Sequence, residues 1–180
     1  MIDSVNTEAV LDASQFTVRQ VTQADLPALE WEGEFIKYRR MYANIYRSTL
    51  TGRALMWLIE TSAGKLIGQA FVMLKSGEQD AADGKNRAYL FAFRIKPPWR
   101  RQGIGTYLMH FIEDDLQSRG FRYLTLNVAK DNQNAIRLYR RLGYKVIGPR
   151  SGDWSFIDHE GKVQDVHEPA WRMMKRISKD

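Results

Sequence analysis

Apolar positions recur along this 180-residue chain with two different periods, and the changes of period divide it into elements. Phe16, Val18 and Val21 mark an imperfect alternation that predicts a first strand. Thr22 then precedes Asp25 at capping-box spacing, with Asp where Glu or Gln is usual. A helical region follows over roughly 23–48, interrupted by Gly33 into two short helices. Residues 54–60 and 65–74 read as strands joined by a hairpin turn at Thr61, Ser62, Ala63 and Gly64. The polar stretch 76–85, with two glycines, reads as a loop. Residues 87–95 are rich in aromatics and read as a buried strand. Lys96, Pro97 and Pro98 stop it, because proline cannot donate to a ladder.

The clearest helix comes next. Ile104, Leu108, Phe111, Ile112 and Leu116 share one face, and Gly120 ends it. Residues 123–128 form the next strand. Asn132 caps a second helix whose stripe is Ala135, Leu138, Tyr139 and Leu142, closed by Gly143. Tyr144 to Ile147 begins another strand. The tail, 153–177, turns at His159, Glu160 and Gly161 and reads as one long hairpin whose second strand is partly buried. The order is strand, two helices, three strands, helix, strand, helix, two strands. That is an α/β chain with helices on both faces of one mixed sheet. One domain is expected over 15–177, after a flexible N-terminus at 1–14.

Composition narrows the classes. Hydrophobic residues at 44% and aromatics at 12% are enough for a core and exclude wholesale disorder. No apolar run reaches the ~18–20 residues a membrane helix needs, and the first residues lack a secretory n-region and h-region, so a cytoplasmic protein without membrane contact is expected. The absence of cysteine excludes disulfides, thiolate metal sites and a cysteine nucleophile. His110, His159 and His167 have no metal-ligand spacing, and no metal is expected. The formal charge of +6 is spread over small clusters that suit solvated helix faces, with some left for a polyanionic ligand.

The junction before the strongest helix concentrates the chemistry. Arg100, Arg101, Gln102, Gly103, Ile104, Gly105 and Thr106 join strand to helix. The first amides of a helix lack internal partners and carry the positive end of its dipole. Glycines let a phosphate approach the backbone there. The lysine and Ser/Thr of a P-loop are missing, and two glycines do not make a dinucleotide fingerprint. A plain tight turn therefore remains open on this segment alone.

Residues 93–108 closely resemble the cofactor motif of the GNAT N-acetyltransferases, with Arg100, Gly103 and Gly105 in pattern positions and Ile95 and Pro97 ahead of them. Asn132, Ala135, Leu138, Tyr139, Gly143 and Tyr144 resemble that family's second block at matching separation. The resemblance is firm over 88–148. It implies a GNAT fold, a sheet of about seven strands splayed at its parallel central pair, and acetyl-CoA as co-substrate. It implies cofactor contacts from Phe93, Arg94, Ile95, Arg100, Arg101, Gln102, Gly103, Ile104, Gly105, Thr106 and Asn132, chiefly through the backbone. Tyr139 resembles the family's acid, though its stripe position equally suits core packing.

The implied reaction is direct attack of an amine on the thioester through a tetrahedral intermediate. Ribosomal-protein acetyltransferases of this family carry a glutamate where this chain has Asn127, and an amide accepts no proton at neutral pH. Glu30, Glu32 and Glu34 beside Trp31 are the remaining base candidates, with solvated helix face as the plainer reading, and a water relay is a further option. Trp31, Glu32, Glu34 and Asn127 are the candidate substrate contacts. Tyr38, Tyr42, Tyr46, Trp154, Asp158, Asp165 and Glu168 are further lining candidates. The acceptor is an amine of a small molecule or of a protein, and a homodimer is compatible. A non-catalytic acyl-CoA sensor of the same fold is the rival reading. Charge alone raises a nucleic-acid-binding domain, which would need one basic face with stacking aromatics, and no nucleic-acid partner is expected.

Overall fold

The computed structural model describes residues 11–178. Residues 1–10, most of the expected flexible N-terminus, lie outside the described residues, whereas Leu11 already packs against the core.

Five strands run in order across the sheet. β1 (Phe16–Gln20), β2 (Ala54–Thr61), β3 (Leu66–Met73) and β4 (Arg87–Ile95) pair antiparallel, and β5 (Tyr123–Ala129) lies parallel to β4. β6 (Lys145–Arg150) is the far edge. The β2–β3 turn forms where expected, with Gly64 at φ +78 closing it. On one face α2 (Ile104–Ser118) and α3 (Gln133–Arg141) bury Leu108, Met109, Ile112, Leu116, Ile136 and Tyr139 against Leu90, Leu124 and Leu126. On the other face α1 (Arg39–Leu50) buries Tyr42 and Ile45 against Met56, Leu58 and Phe71. Helices thus cover both faces of a seven-stranded mixed sheet, the architecture expected from the sequence.

Two readings are corrected. The first helical segment is a 3₁₀ stretch, Gln23–Glu30, with Pro27 inside it. Trp31, Glu32 and Gly33 then take positive φ and a true α-helix starts only at Arg39. Proline removes a donor that an α-helix would need. The tail is also not one hairpin. β7 (Asp153–Ile157) and β8 (Val163–His167) form a separate two-stranded ribbon, and β9 (Ala170–Arg176) inserts antiparallel between β5 and β6. Flanked on both edges and covered on both faces, β9 buries Ala170, Arg172 and Met173, so no clean alternation marks it.

Candidate active site

The parallel β4–β5 ladder runs from Arg87 opposite Tyr123 to Leu90 opposite Leu126 and stops there. Both strands continue, residues 91–95 and 127–129, with no ladder between them. Each strand keeps its outer partner, β4 with β3 as far as Ile95 opposite Gly68 and β5 with β9 as far as Ala129 opposite Ala170. The cause is a bulge. Between Gln69 and Phe71 of β3 the partner register on β4 moves from Arg94 to Phe91, and Ala92 takes φ +49. An extra residue bends its strand and releases backbone groups from the ladder. Gly68 is what allows β3 to follow the bend, since a Cβ there would stand 2.9 Å from the Arg94 carbonyl.

Beyond β4 the chain makes a 3₁₀ turn, Pro97–Trp99, then Arg101 at φ +59 and Gly103 at φ +80 before α2 begins. The first backbone bond returning to this turn is Tyr107 to the Gly103 carbonyl, 3.0 Å. Among the described residues, the amides of 101–106 donate to nothing. They form a row of free donors at the positive end of a 15-residue helix. Arg100 behaves differently from its neighbours. Its Nε donates to the Ile95 carbonyl at 2.7 Å, tying the end of β4 to the turn. Gln102 donates to the Pro98 carbonyl, 3.0 Å. Asn132 caps α3 through the Ala135 amide at 3.1 Å, as its spacing suggested.

Tyr139 is buried between Phe93, at 6.3 Å between ring centroids, and Tyr144, at 5.8 Å. Among the described residues its hydroxyl makes no hydrogen bond. Tyr144, by contrast, donates to Glu113 at 2.8 Å, and Lys175 donates to the other oxygen of that carboxylate at 2.7 Å. Burial, and then the neighbouring Tyr89, push the Tyr139 phenol well above its usual range. The two adjacent tyrosines are therefore different chemically: Tyr144 is spent on structure and Tyr139 is free.

Of the three carboxylates read as base candidates, two are ion-paired and the third is exposed. Glu30 accepts two bonds from Arg39, at 2.6 and 3.0 Å, and Arg39 first of all holds its carboxyl below the usual range. Glu32 is paired with Lys96 at 3.1 Å. Glu34 is exposed on the turn. Trp31 is buried, its indole N–H donating to Gln69 at 3.1 Å. Of the tyrosine stripe, Tyr42 is core, edge-on to Phe71, while Tyr38 faces Trp154 and Phe156 of the β7–β8 ribbon. Arg94 fills the space beneath, 4.3 Å over the Phe35 ring, and donates to the Tyr42 hydroxyl at 3.0 Å. Asp158 is spent on the ribbon turn, accepting from the Glu160 and Lys162 amides at 2.9 Å each. Asp165 and Glu168 are exposed.

Asn127 sits just beyond the last β4–β5 rung, and its side chain has a partner that the sequence did not suggest. Arg172 of β9 donates from Nε to Asn127 Oδ1 at 2.6 Å. The same guanidinium lies 5.4 Å from the Tyr89 ring and reaches Glu78 and Asp80 of the loop after β3. The register pairing of Asn127 with Arg172 makes this contact, and only strand order reveals that register. Among the described residues no cluster of His, Asp or Glu could hold a metal, and no helix is long and apolar enough to cross a membrane.

Comparison with known proteins agrees with this fold. The profile of the acetyltransferase (GNAT) family covers residues 18–144. The alanine N-acetyltransferase of ribosomal protein bS18 from Escherichia coli is 39% identical over 59 residues, 33% of this chain and 40% of that protein. Probable N-acetyltransferase 14 of Xenopus tropicalis is 36% identical over 61 residues, 34% of this chain and 28% of that protein. The matched stretch thus spans less than half the length of either curated relative. The solved structure of the Escherichia coli S18-alanine enzyme superposes with TM-score 0.64 at 25% identity, covering 92% of this chain and 96% of that one. Spermidine N-acetyltransferase from Vibrio cholerae, solved with CoA and spermine, shares the fold, with TM-score 0.65 at 18% identity, covering 91% of this chain and 96% of that one.

Proposed function

Because the chain belongs to the GNAT acetyltransferase family, we propose that it transfers an acetyl group from acetyl-CoA to an amine. One observation carries the reading: the β4–β5 ladder opens beside a row of free amides at the mouth of α2. An extended acyl carrier ending in a diphosphate needs both. The free amides of 101–106 and the positive φ of Gly103 fit its anionic end, and the unladdered backbone of 91–95 fits its arm.

Acetyl-CoA brings an activated thioester carbonyl. The rest is the work of this chain. The amides of Arg101, Gln102, Gly103, Ile104, Gly105 and Thr106 would hold the diphosphate, with Arg101 adding charge. Arg100 is engaged with Ile95 and would act by fixing the turn. The backbone of Phe93, Arg94 and Ile95 would orient the arm, and an N–H of this opened strand would stabilise the oxyanion. Asn132 would border the arm from the start of α3. Tyr139, kept protonated by burial, would donate its proton to the departing sulfur, whose free thiol pKa is about 8.5. The acceptor amine would enter from the opposite side, between Trp31, Glu32 and Glu34, the Tyr38–Trp154 contact and Asn127. Relatives named for a ribosomal-protein alanine and for spermidine support an amine acceptor of either protein or polyamine type.

A second reading, an acyl-CoA sensor, is favoured by the amide at position 127 and its bond to Arg172. One experiment separates the two. Mass spectrometry of the purified protein for bound CoA species, then an amine panel read by thiol release, is expected to give both binding and turnover. Binding without turnover supports the sensor; neither sinks both.

A further inference from the structure

The loop between β3 and β4, which the sequence marks only as polar, is pinned to the last paired part of β5, next to where the ladder opens. The Glu78 carbonyl accepts from the Ala81 and Ala82 amides, 3.0 Å each, and from the Ser76 hydroxyl at 2.8 Å. Thr125 of β5, two positions before Asn127, donates to the Ala81 carbonyl at 2.9 Å. Ala81 and Ala82 are buried. The backbone is therefore fixed, while the Glu78 side chain stays 72% exposed and meets Arg172, whose own side chain is 1% exposed.

A guanidinium is a rigid planar fork, with Nε and Nη2 on one edge. Nε holds Asn127 at 2.6 Å and Nη2 holds Glu78 at 3.2 Å. That edge sets a carboxylate beside the residue at the mouth of the opened ladder. Asp80, in the same loop, lies on the other terminal nitrogen, 3.4 Å from Nη1, and is also paired with Arg150. Nη1 itself has no hydrogen-bond partner among the described residues.

We propose that Glu78 is the proton acceptor for the incoming amine, held at its station by Arg172 and Asn127. The inference rests on the acetyl-transfer reading. In the step, an ammonium N–H bond breaks and a Glu78 O–H bond forms, directly or through one water. The neutral nitrogen then bonds to the thioester carbon, and the C–S bond breaks. Tyr139 protonates the sulfur, the surplus proton on the new amide nitrogen restores the tyrosine through water, and Glu78 releases its proton to solvent, so that one proton leaves per turnover. Arg172 is a positioning residue: it touches neither reactant. A carboxylate contributed by a loop thus replaces the one that position 127 lacks.

The charged and titratable groups around Glu78 are Arg172 of β9, Asp80 of the same loop, Arg87 at the start of β4, Arg150 of β6 and Tyr89 of β4. The test uses the full chain and the amine it acetylates fastest in a panel of free-N-terminal peptides and polyamines. Glu78→Gln should lower kcat/KM about 100-fold near pH 7. The deficit should shrink toward high pH, where the amine is already neutral, and acetyl-CoA affinity by calorimetry should not change. Adding Asn127→Glu to that variant puts a carboxylate back on the same guanidinium edge and should recover at least tenfold. A Glu78→Gln rate equal to that of the parent protein at every pH, or a deficit constant with pH, overturns the proposal and leaves acetyl transfer standing. If the parent protein releases no thiol with any amine, acetyl transfer itself falls, and this role with it.

Discussion

The Tyr139 ring is packed between Phe93 and Tyr144, and burial keeps its phenol protonated across the neutral range. Tyr139→Phe removes one hydroxyl that bonds to no described residue, so little stability should be lost. Thiol release should fall about 100-fold, while acetyl-CoA affinity stays within a factor of two or three. Unchanged turnover would return Tyr139 to plain core. The two glycines of the turn make a sharper pair. A Cβ on Gly103 would meet only Leu11, at 3.8 Å, so Gly103→Ala suffers from its φ of +80 alone and should lose about 1–2 kcal/mol in urea unfolding. A Cβ on Gly105 would rest 3.5 Å from the Phe93 ring at an ordinary φ, so Gly105→Ala should cost almost no stability. It should still weaken acetyl-CoA binding about tenfold, because the methyl stands among the free amides. A Gly105→Ala protein of native affinity would show that the diphosphate does not lie there.

Elements built from neighbouring residues could be read from the chain, and those built from distant ones could not. The cradle was legible because Gly103, Gly105 and the stripe of α2 lie within one stretch. The capping box was legible too: the Thr22 amide donates to Asp25 at 2.7 Å. The environment of Asn127 was not, because Arg172 is 45 positions away and reaches Glu78 across 94. No local pattern encodes which strand lies beside β5. The insertion of β9 followed the same rule, its mixed apolar and basic residues giving no period. The first strand and the 3₁₀ stretch after it carry a testable consequence of local pairing. Arg19 donates to Asp25 at 2.8 and 2.9 Å and to Glu60 at 3.1 Å. These bonds, chiefly Arg19's, hold the Asp25 carboxyl far below its usual range, against the opposing effect of burial. A carboxyl depressed in the folded state stabilises the fold above its ordinary pKa of about 3.9, and that gain is lost as pH falls below it. The difference in urea midpoint between the parent protein and Arg19→Ala should therefore be widest above pH 5 and narrow steadily as pH falls from 4 toward 2. A difference constant over that range would mean the pair contributes no linked stability.

The whole molecule is organised about β9 rather than about the order of its strands. β9 closes the sheet by pairing with β5 over Tyr123–Ala129 and with β6 over Lys145–Arg150. The ribbon before it joins none of the seven strands. These two parts of the tail should separate cleanly under deletion. Ending the chain at Glu168 removes β9 and leaves β5 and β6 with facing unpaired edges and Met173 gone from the core, so the product should not fold cooperatively. Excising 153–167 is geometrically mild. The Glu168 amide already donates to the Gly152 carbonyl at 3.1 Å, so the cut ends lie together and a short Gly-Ser link joins them. The ribbon's turn is satisfied internally through Asp158, so no backbone partner is stranded in the sheet. What is lost is the Trp154 and Phe156 cover over Tyr38, at 6.4 and 5.0 Å between ring centroids. The ribbonless protein should melt within about 10 °C of its parent and keep its affinity for acetyl-CoA, since the cradle lies at the mouth of α2. Its KM for the amine should rise about tenfold, because one wall of the acceptor entrance has gone. An unchanged amine KM would move the acceptor path away from the Tyr38–Trp154 contact and toward the Glu78 side of the opening alone.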